Sequence, residues 1–348
     1  MPVSLTTLQD LTALTCDDII DVRSPAEFAE DHVPGAISLP VLSNEERARV
    51  GTIYKQVDPF EARKIGAALV SRNAAAHIEG PLSDRDGGWQ PLVYCWRGGQ
   101  RSGSFAVILK QIGWRADTLE GGYRAYRRLV ARLLHDEPLP WRPILIDGNT
   151  GTAKTRLLEH LKAEGAQVVD LEGLAEHRGS LFGGMLGPQP AQKMFESRLA
   201  SALMACEPAR PVYLEAESNK VGDVLIPGSL WKAMLDAPRV QITAPLQARA
   251  THLIDTYEEL TADPEALRQI IDQLRPYHAA EVIEAWQNDA SSGDFNNLAQ
   301  GLMRDHYDPR YARSTARKAD LVGKYDLSDL SDTSLRSTAA RILTDHGC

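Results

Sequence analysis

Residues 91–113 read PLVYCWRGGQRSGSFAVILKQIG, and this stretch sets the reading of the first third of the chain. PLVYC is a short apolar run, read as a buried strand. RSGSFAVILKQIG carries apolar residues at helical spacing and stops at Gly113. Cys95 sits at the strand end, ahead of Gly98, Gly99 and Gly103. A strand, a glycine-containing loop and a helix aim the loop amides and the free N–H groups of the helix start at one spot. That spot favours a thiolate and cradles an anion attached to it. Arg97 and Arg101 add positive charge, and Gly98, Gly99, Gln100 and Ser102 complete the candidate anion-binding loop. A cysteine that only packs needs none of these neighbours. Cys95, Arg97 and Arg101 are therefore the candidate catalytic residues.

The surrounding text alternates short strands with helices. DDIIDVR reads as a strand, and SPAEFAE as a helix with Ser24 at its N-cap and Pro25 at its first position. HVPGAISLP is a turn and short strand, and EARKIGAALVSR an amphipathic helix. ADTLEGGY is a last strand and turn leading into YRAYRRLVARLL. Residues 1–135 are thus expected to form one α/β domain. HDEPLPWRP, with three prolines in nine residues, marks a linker over 136–142. Beyond it ILIDG, QVVDLEG, PVYLEAES and VQITA read as strands spaced by helical stretches. They predict a second α/β domain with a parallel sheet over 143–348. Its last part, about 258–348, is expected to be helical.

The second domain opens with IDGNTGTAKT, a strand end followed by a helix start. This is the setting of a Walker A phosphate loop, GxxxxGK[ST]. Here the loop is Gly148, Asn149, Thr150, Gly151, Thr152, Ala153, Lys154 and Thr155, with alanine in place of the second glycine. Lys154 would reach terminal phosphates, and Thr155 is a candidate Mg²⁺ ligand. Glu215 and Glu217, at the end of VYLEAES, are candidates for the acidic residues of the second Walker motif. HRGSLFGGMLGPQPAQKMFESRL is too rich in Gly and Pro for a regular element. It reads either as a surface loop or as a substrate lid, with Phe182, Met185 and Leu186 as apolar cover and Arg178 as a phosphate contact.

Composition bounds the setting. The chain has 348 residues, 43% hydrophobic, enough for two domains with real cores. Cysteines stand at 16, 95, 206 and 348, with no CxxC pair, so no zinc site is expected. The N-terminal stretch shows no signal-peptide pattern, and no apolar run approaches the ~20 residues of a membrane span. A cytoplasmic protein is expected, without membrane association. The formal net charge of −9 argues against indiscriminate binding of polyanions. Yet Arg97 to Arg132 holds eight Lys/Arg against two Asp/Glu, and Arg304 to Lys324 six against three. Arg124, Arg128 and Arg132 recur at i, i+4, i+8 and form either a polyanion-binding stripe or a solvated face. Arg310, Arg313 and Arg317 make a second stripe, with Tyr307 and Tyr311 interleaved to stack on bases.

DVRSPAEFAEDHVPGAISLP together with YCWRGGQRS resembles a rhodanese-type domain, and the resemblance implies that Cys95 carries a chalcogen atom. Asp21 and Arg23 match the family's largely structural DVR pair. The five residues between Cys95 and Arg101 make a longer loop than many sulfur carriers have, suited to a larger anion. CX5R spacing also occurs in phosphatases. A rhodanese-like module followed by a P-loop NTPase-like module, with the blocks GNTGTAKT, HRGSLFGGMLGPQPAQ, EAESNKVG and HYDPRY, resembles tRNA 2-selenouridine synthases over essentially the whole chain. That resemblance implies replacement of sulfur by selenium in the wobble 2-thiouridine of tRNA, in the anticodon region. It implies selenophosphate as donor and an S-geranyl-2-thiouridine intermediate made from geranyl diphosphate. In this reading the Cys95 thiolate attacks selenium, while Arg97, Arg101 and the loop amides balance the charge of the departing group. The rivals are a sulfurtransferase fused to an ATPase, and a CX5R phosphatase.

Overall fold

A computed structural model describes residues 2–184, 187–315 and 320–347. The chain divides into two compact units.

The first unit is built on β1 (Asp18–Asp21), α1 (Pro25–Glu30), β2 (Ile37–Ser38), α2 (Asn44–Gln56), α3 (Pro59–Glu79), β3 (Pro91–Tyr94), α4 (Gln100–Ile112), β4 (Asp117–Thr118) and α5 (Gly122–Ala131). Its four strands run parallel in the order β2-β1-β3-β4. Ile20, Val22, Val93, Phe105 and Leu109 lie at the centre of its core. Ser24 and Glu27 close a capping box at the start of α1, and Gly113 ends α4 at φ +111°. The structure adds α2, which sequence periodicity does not show. That helix buries none of its residues, so it carries no apolar stripe to read.

The second unit begins with β5 (Arg142–Asp147), α6 (Lys154–Ala163), β6 (Gln167–Val168) and α7 (Leu171–Ala175). Then comes α8 (Gln192–Met204), which belongs to the first unit. The chain continues with β7 (Pro211–Glu215), the hairpin β8 (Lys220–Val221) and β9 (Val224–Leu225), α9 (Gly228–Leu235) and β10 (Arg239–Thr243). Helices α10 (Leu246–Thr256), α11 (Glu258–Thr261), α12 (Pro264–Asp272), α13 (Ala280–Ser292), α14 (Phe295–Leu302) and α15 (Asp308–Thr315) follow, then β11 (Leu321–Asp326) and α16 (Asp332–His346). The parallel sheet has the order β11-β10-β5-β7-β6.

Three expectations are corrected. The region 258–348 is not helical throughout, because β11 extends the sheet beside β10. It is an edge strand whose only buried residue is Tyr325, so its sequence lacks the alternation of a half-buried strand. Nor is 143–348 one continuous domain, since Pro190–Met204 falls in the first unit. Phe195, Leu199 and Leu203 of α8 are buried there. The Arg127 guanidinium is ion-paired to Glu196, and the Ser197 hydroxyl donates to Asp31 at 3.0 Å. The expected linker is also shorter at its start, because Arg132–Asp136 forms a π-helical turn continuing α5.

Candidate functional site

β3 carries Cys95 to the end of a central strand, and the loop 95–99 folds it back over the start of α4. The thiol is 3% exposed and accepts hydrogen bonds from the Gly99 N–H (3.3 Å) and the Ser102 hydroxyl (3.2 Å). Burial pushes the Cys95 thiol up, but the Ser102 bonds and the Arg101 charge outweigh it and hold the thiol below its ordinary value. Arg97, Gly98, Gly99 and Gln100 are exposed, and Ser102 is buried.

The first turn of α5 ties the loop from behind. Tyr123 N–H donates to the Cys95 carbonyl (2.9 Å) and Arg124 N–H to the Trp96 carbonyl (3.1 Å), so free helix-start amides are used to fix the thiol loop. A Cβ on Gly122, at φ +55°, would lie 2.2 Å from the Cys95 carbonyl oxygen. One on Gly98, at φ +65°, would lie 2.6 Å from the Leu119 carbonyl oxygen. Spacing alone gives EGGY as a turn; its contact with the thiol loop joins residues far apart in the chain.

Arg101 is not a free cation. Its guanidinium donates to Glu27 at 2.8 and 3.4 Å, and Arg47 reaches the same carboxylate at 2.9 Å. Burial works against ionisation of Glu27, but the Arg101 bond and charge, with Ser24 and Arg47, hold it down to about 2. An Arg–Glu–Arg group thus flanks the start of α4. Sequence reading singles out neither Glu27 nor Arg47; the capping box of SPAE marks Glu27 only as part of a helix start. Arg23 is structural: 1% exposed, it pairs with Asp21 at 2.7 Å and lies 4.0 Å from the Tyr123 ring centre.

In the second unit, Gly148–Ala153 link β5 to α6. A Cβ on Gly148 would meet the Ile242 carbonyl at 2.7 Å, so this position requires glycine. Ala153 adopts φ +57°, ψ +38°, the left-handed conformation that a glycine would take without strain. The Lys154 ammonium donates to the Gly148 carbonyl (3.0 Å), and the Thr155 hydroxyl to Glu172 (3.3 Å). Burial and the neighbouring Glu217 push Glu172 up to about 8, against the pull of Lys154. Glu215 is wholly buried, takes the Leu171 N–H at 3.1 Å, and is pushed far up by burial. It is therefore held neutral rather than offered as a free carboxylate. Glu172, which the sequence reading omits, lies closer to Thr155's chemistry.

Thr150 also borders an apolar cavity of about 580 Å³ including its open mouth. Phe182, Leu253, Tyr257, Leu298, Met303 and Tyr307 are among its walls. Phe182 is in place as a cover, whereas Met185 and Leu186 lie outside the described residues. Arg178 is engaged with Glu259 and lies 4.9 Å from the Tyr257 ring centre.

Arg124, Arg128 and Arg132 are all exposed, opposite the buried Tyr126, Leu129 and Val130. Arg310 is exposed, donates to His306 Nε2 at 3.1 Å, and lies over the Tyr277 ring at 4.3 Å. Arg313 falls within α15, its side chain outside the described part; Arg317 lies outside the described residues altogether. The interleaved tyrosines, read as candidates for stacking on bases, are each engaged within the second unit. The Tyr311 hydroxyl donates to Asp147 at the foot of the phosphate loop, and Tyr307 lines the cavity. Among the described residues no helix is long and apolar enough to cross a membrane.

A buried thiol cradled at a helix start, and a phosphate loop on a separate parallel sheet, define a two-unit α/β enzyme of the rhodanese-plus-P-loop class. A rhodanese-like domain model matches residues 4–129, and the tRNA 2-selenouridine synthase AAA domain model matches 141–273. The tRNA 2-selenouridine synthase of Nitrosomonas europaea is 36% identical over 89% of this chain and 93% of its own length. That of Bdellovibrio bacteriovorus is 35% identical over 86% and 89%. The chain belongs to the tRNA 2-selenouridine synthase family, and it is an enzyme of the transferase class.

Proposed function

We propose that this enzyme replaces sulfur by selenium in the wobble 2-thiouridine of tRNA, with selenophosphate as donor. The reaction runs through an S-geranyl-2-thiouridine intermediate made from geranyl diphosphate. The observation that carries this reading is the phosphate loop opening, at Thr150, onto an apolar cavity. A nucleotide would need hydrogen-bond partners for base and ribose. The cavity offers hydrocarbon and aromatic faces, and two of its hydroxyls, Ser180 and Tyr257, engage each other at 3.3 Å. A prenyl chain asks only for such faces.

The chemistry divides between the units. A thiocarbonyl sulfur is a poor leaving group until it is alkylated. S2 attacks C1 of the geranyl group, the C–O bond breaks with its electrons on diphosphate, and N3 loses its proton. Loop amides and Lys154 balance the diphosphate charge. The Thr155 hydroxyl and Glu172, once a bound cation displaces the proton that burial and Glu217 hold on it, are hard oxygen donors that would fit Mg²⁺, which would neutralise further diphosphate charge. In the first unit the Cys95 thiolate attacks selenium. The S–Se bond forms, the Se–P bond breaks, and phosphorus leaves as phosphite. Arg97, Arg101 and the Gly98–Ser102 loop hold that anion. Selenium then adds to C2 of the base and expels geranylthiolate. A cellular thiol cleaves the S–Se bond, returning two electrons to selenium, and a second thiol reduces the disulfide left on Cys95. The tRNA lies against Arg124, Arg128 and Arg132, with Arg310, Arg313 and Arg317 as a second contact, and the reaction is cytoplasmic.

Mass spectrometry of tRNA nucleosides tests this. Lys154→Ala should block geranylation yet spare selenation of tRNA supplied already geranylated. Cys95→Ser should do the reverse, accumulating geranylated tRNA. Normal geranylation by Lys154→Ala, or a strict requirement for ATP hydrolysis, would sink the role of the loop. Phosphorus NMR showing phosphate without phosphite would show that Cys95 does not take selenium directly.

A further inference from the structure

The block HYDPRY, residues 306–311, does more in the fold than present basic and aromatic side chains. Asp308 holds the Arg249 guanidinium with two bonds, at 2.9 and 2.7 Å. Arg249 Nε donates in turn to the Thr150 carbonyl at 2.8 Å. Arg249 is 5% exposed, although it carries a permanent charge. One helical turn after Asp308, the Tyr311 hydroxyl donates to Asp147, which also pairs with Arg239 at 3.3 Å and accepts the Gly148 N–H at 3.1 Å. Asp308 and Tyr311 are three residues apart and share a face of α15. That face therefore grips the phosphate loop just before its first residue, at Asp147, and at its crest, through Arg249. The backbone of α10 closes the loop from the same side, since a Cβ on Gly151 would meet the Arg249 carbonyl at 3.1 Å.

A phosphate loop binds by the directions of its amides. Turning the Thr150 carbonyl away, and keeping it turned, is what leaves the amides that follow free to face an anion. An arginine does this well because its planar fork bonds a carboxylate with two N–H groups while Nε serves a third acceptor. The carboxylate of Asp308 has a second effect: it cancels the Arg249 charge, so Arg249 stays on the carbonyl instead of swinging to the anion. We propose that Arg249, Asp308 and Tyr311 are positioning residues for the phosphate loop, acting through Thr150 and Asp147 rather than by touching the ligand. The proposal rests on the reading of Gly148–Thr155 as a diphosphate site.

The test uses the full-length enzyme, Mg²⁺ and inorganic diphosphate, with binding followed by calorimetry. Asp308→Asn, Arg249→Lys and Tyr311→Phe should each weaken binding about tenfold, as expected when one coupled polar interaction is removed. Asp308→Asn combined with Arg249→Lys should be no worse than the weaker single variant, because the two act in one chain. Asp308→Glu should recover part of the loss, a rescue that general destabilisation does not give. Selenium loading of Cys95, measured as protein mass, should stay at the wild-type level in all of them. If Asp308→Asn fails to fold, Tyr311→Phe, which removes one hydroxyl, carries the test. Wild-type binding by all folded variants, or additive losses in the double variant, would overturn the proposal. Failure of the wild-type enzyme to bind diphosphate would instead refute the reading of the loop itself.

Discussion

Ser102→Ala should raise the Cys95 pKa and slow the reaction of its thiol with an alkylating agent. The hydroxyl donates to the sulfur at 3.2 Å from a fully buried position, beside the Gly99 amide at 3.3 Å and weaker backbone bonds from Ser102 and Arg97. A hydrogen bond to a charged group contributes about 1.5–3 kcal/mol, and one pKa unit corresponds to about 1.4 kcal/mol. Burial, which already pushes the thiol up, then goes less opposed. The sign follows: a higher pKa moves the onset of reactivity to higher pH. At pH values where the wild-type thiol is still mostly protonated, the thiolate fraction should fall by about 10- to 100-fold. The remaining thiolate is more nucleophilic, with a Brønsted coefficient near 0.4–0.5, so the alkylation rate should drop about three- to tenfold. Iodoacetamide labelling between pH 5 and 10, read per peptide by mass spectrometry, measures this directly. Cys16 and Cys206 serve as internal references, since burial raises both and neither contacts Ser102. Selenium loading from selenophosphate should slow in parallel. An unchanged labelling profile, or one displaced to lower pH, would refute the account of how the thiolate is held.

Converting Arg124, Arg128 and Arg132 to Glu should weaken tRNA binding and flatten its salt dependence, by roughly 0.7–0.9 in slope for each phosphate that is no longer neutralised. A slope that does not change would make this exposed face merely solvated. Gly122→Ala places a methyl group 2.2 Å from the Cys95 carbonyl, with backbone on both sides, and should destabilise the first unit by more than about 3 kcal/mol. Chemical denaturation of the variant gives the answer, and a wild-type midpoint would mean that the α5 turn can move away from the thiol loop.

Both candidate anion loops are legible in sequence because each is local. Cys95 to Ser102 and Gly148 to Thr155 are single strand–loop–helix units, in which spacing alone fixes what faces the loop. What holds those loops is not local. Gly122 meets Cys95, Glu27 meets Arg101, and Asp308 reaches Thr150 through Arg249. No periodicity connects such residues, so the sequence shows Gly121–Gly122 as a turn and HYDPRY as a basic, aromatic stretch. Secondary structure is missed for a related reason. α2 has no buried side and β11 has one buried residue, so neither prints its period on the sequence. α8 is hidden because the Gly/Pro-rich text before it runs straight into its first turn.

The placement of α8 has a consequence for how this chain can be cut and recombined. The first unit is not a cassette with one entry and one exit, because its last helix is encoded in the middle of the phosphate-loop half. A polypeptide ended at Glu137 would leave Arg127 and Asp31 without Glu196 and Ser197, in a largely buried setting where unpaired polar groups are costly. Gene fusion or domain exchange at the proline-rich junction therefore cannot transplant the thiol unit whole. Donor and recipient would have to trade an internal exon-like segment as well. Evolution of the two halves is bound by the same thread: a crossover that replaces one half also replaces part of the other's core.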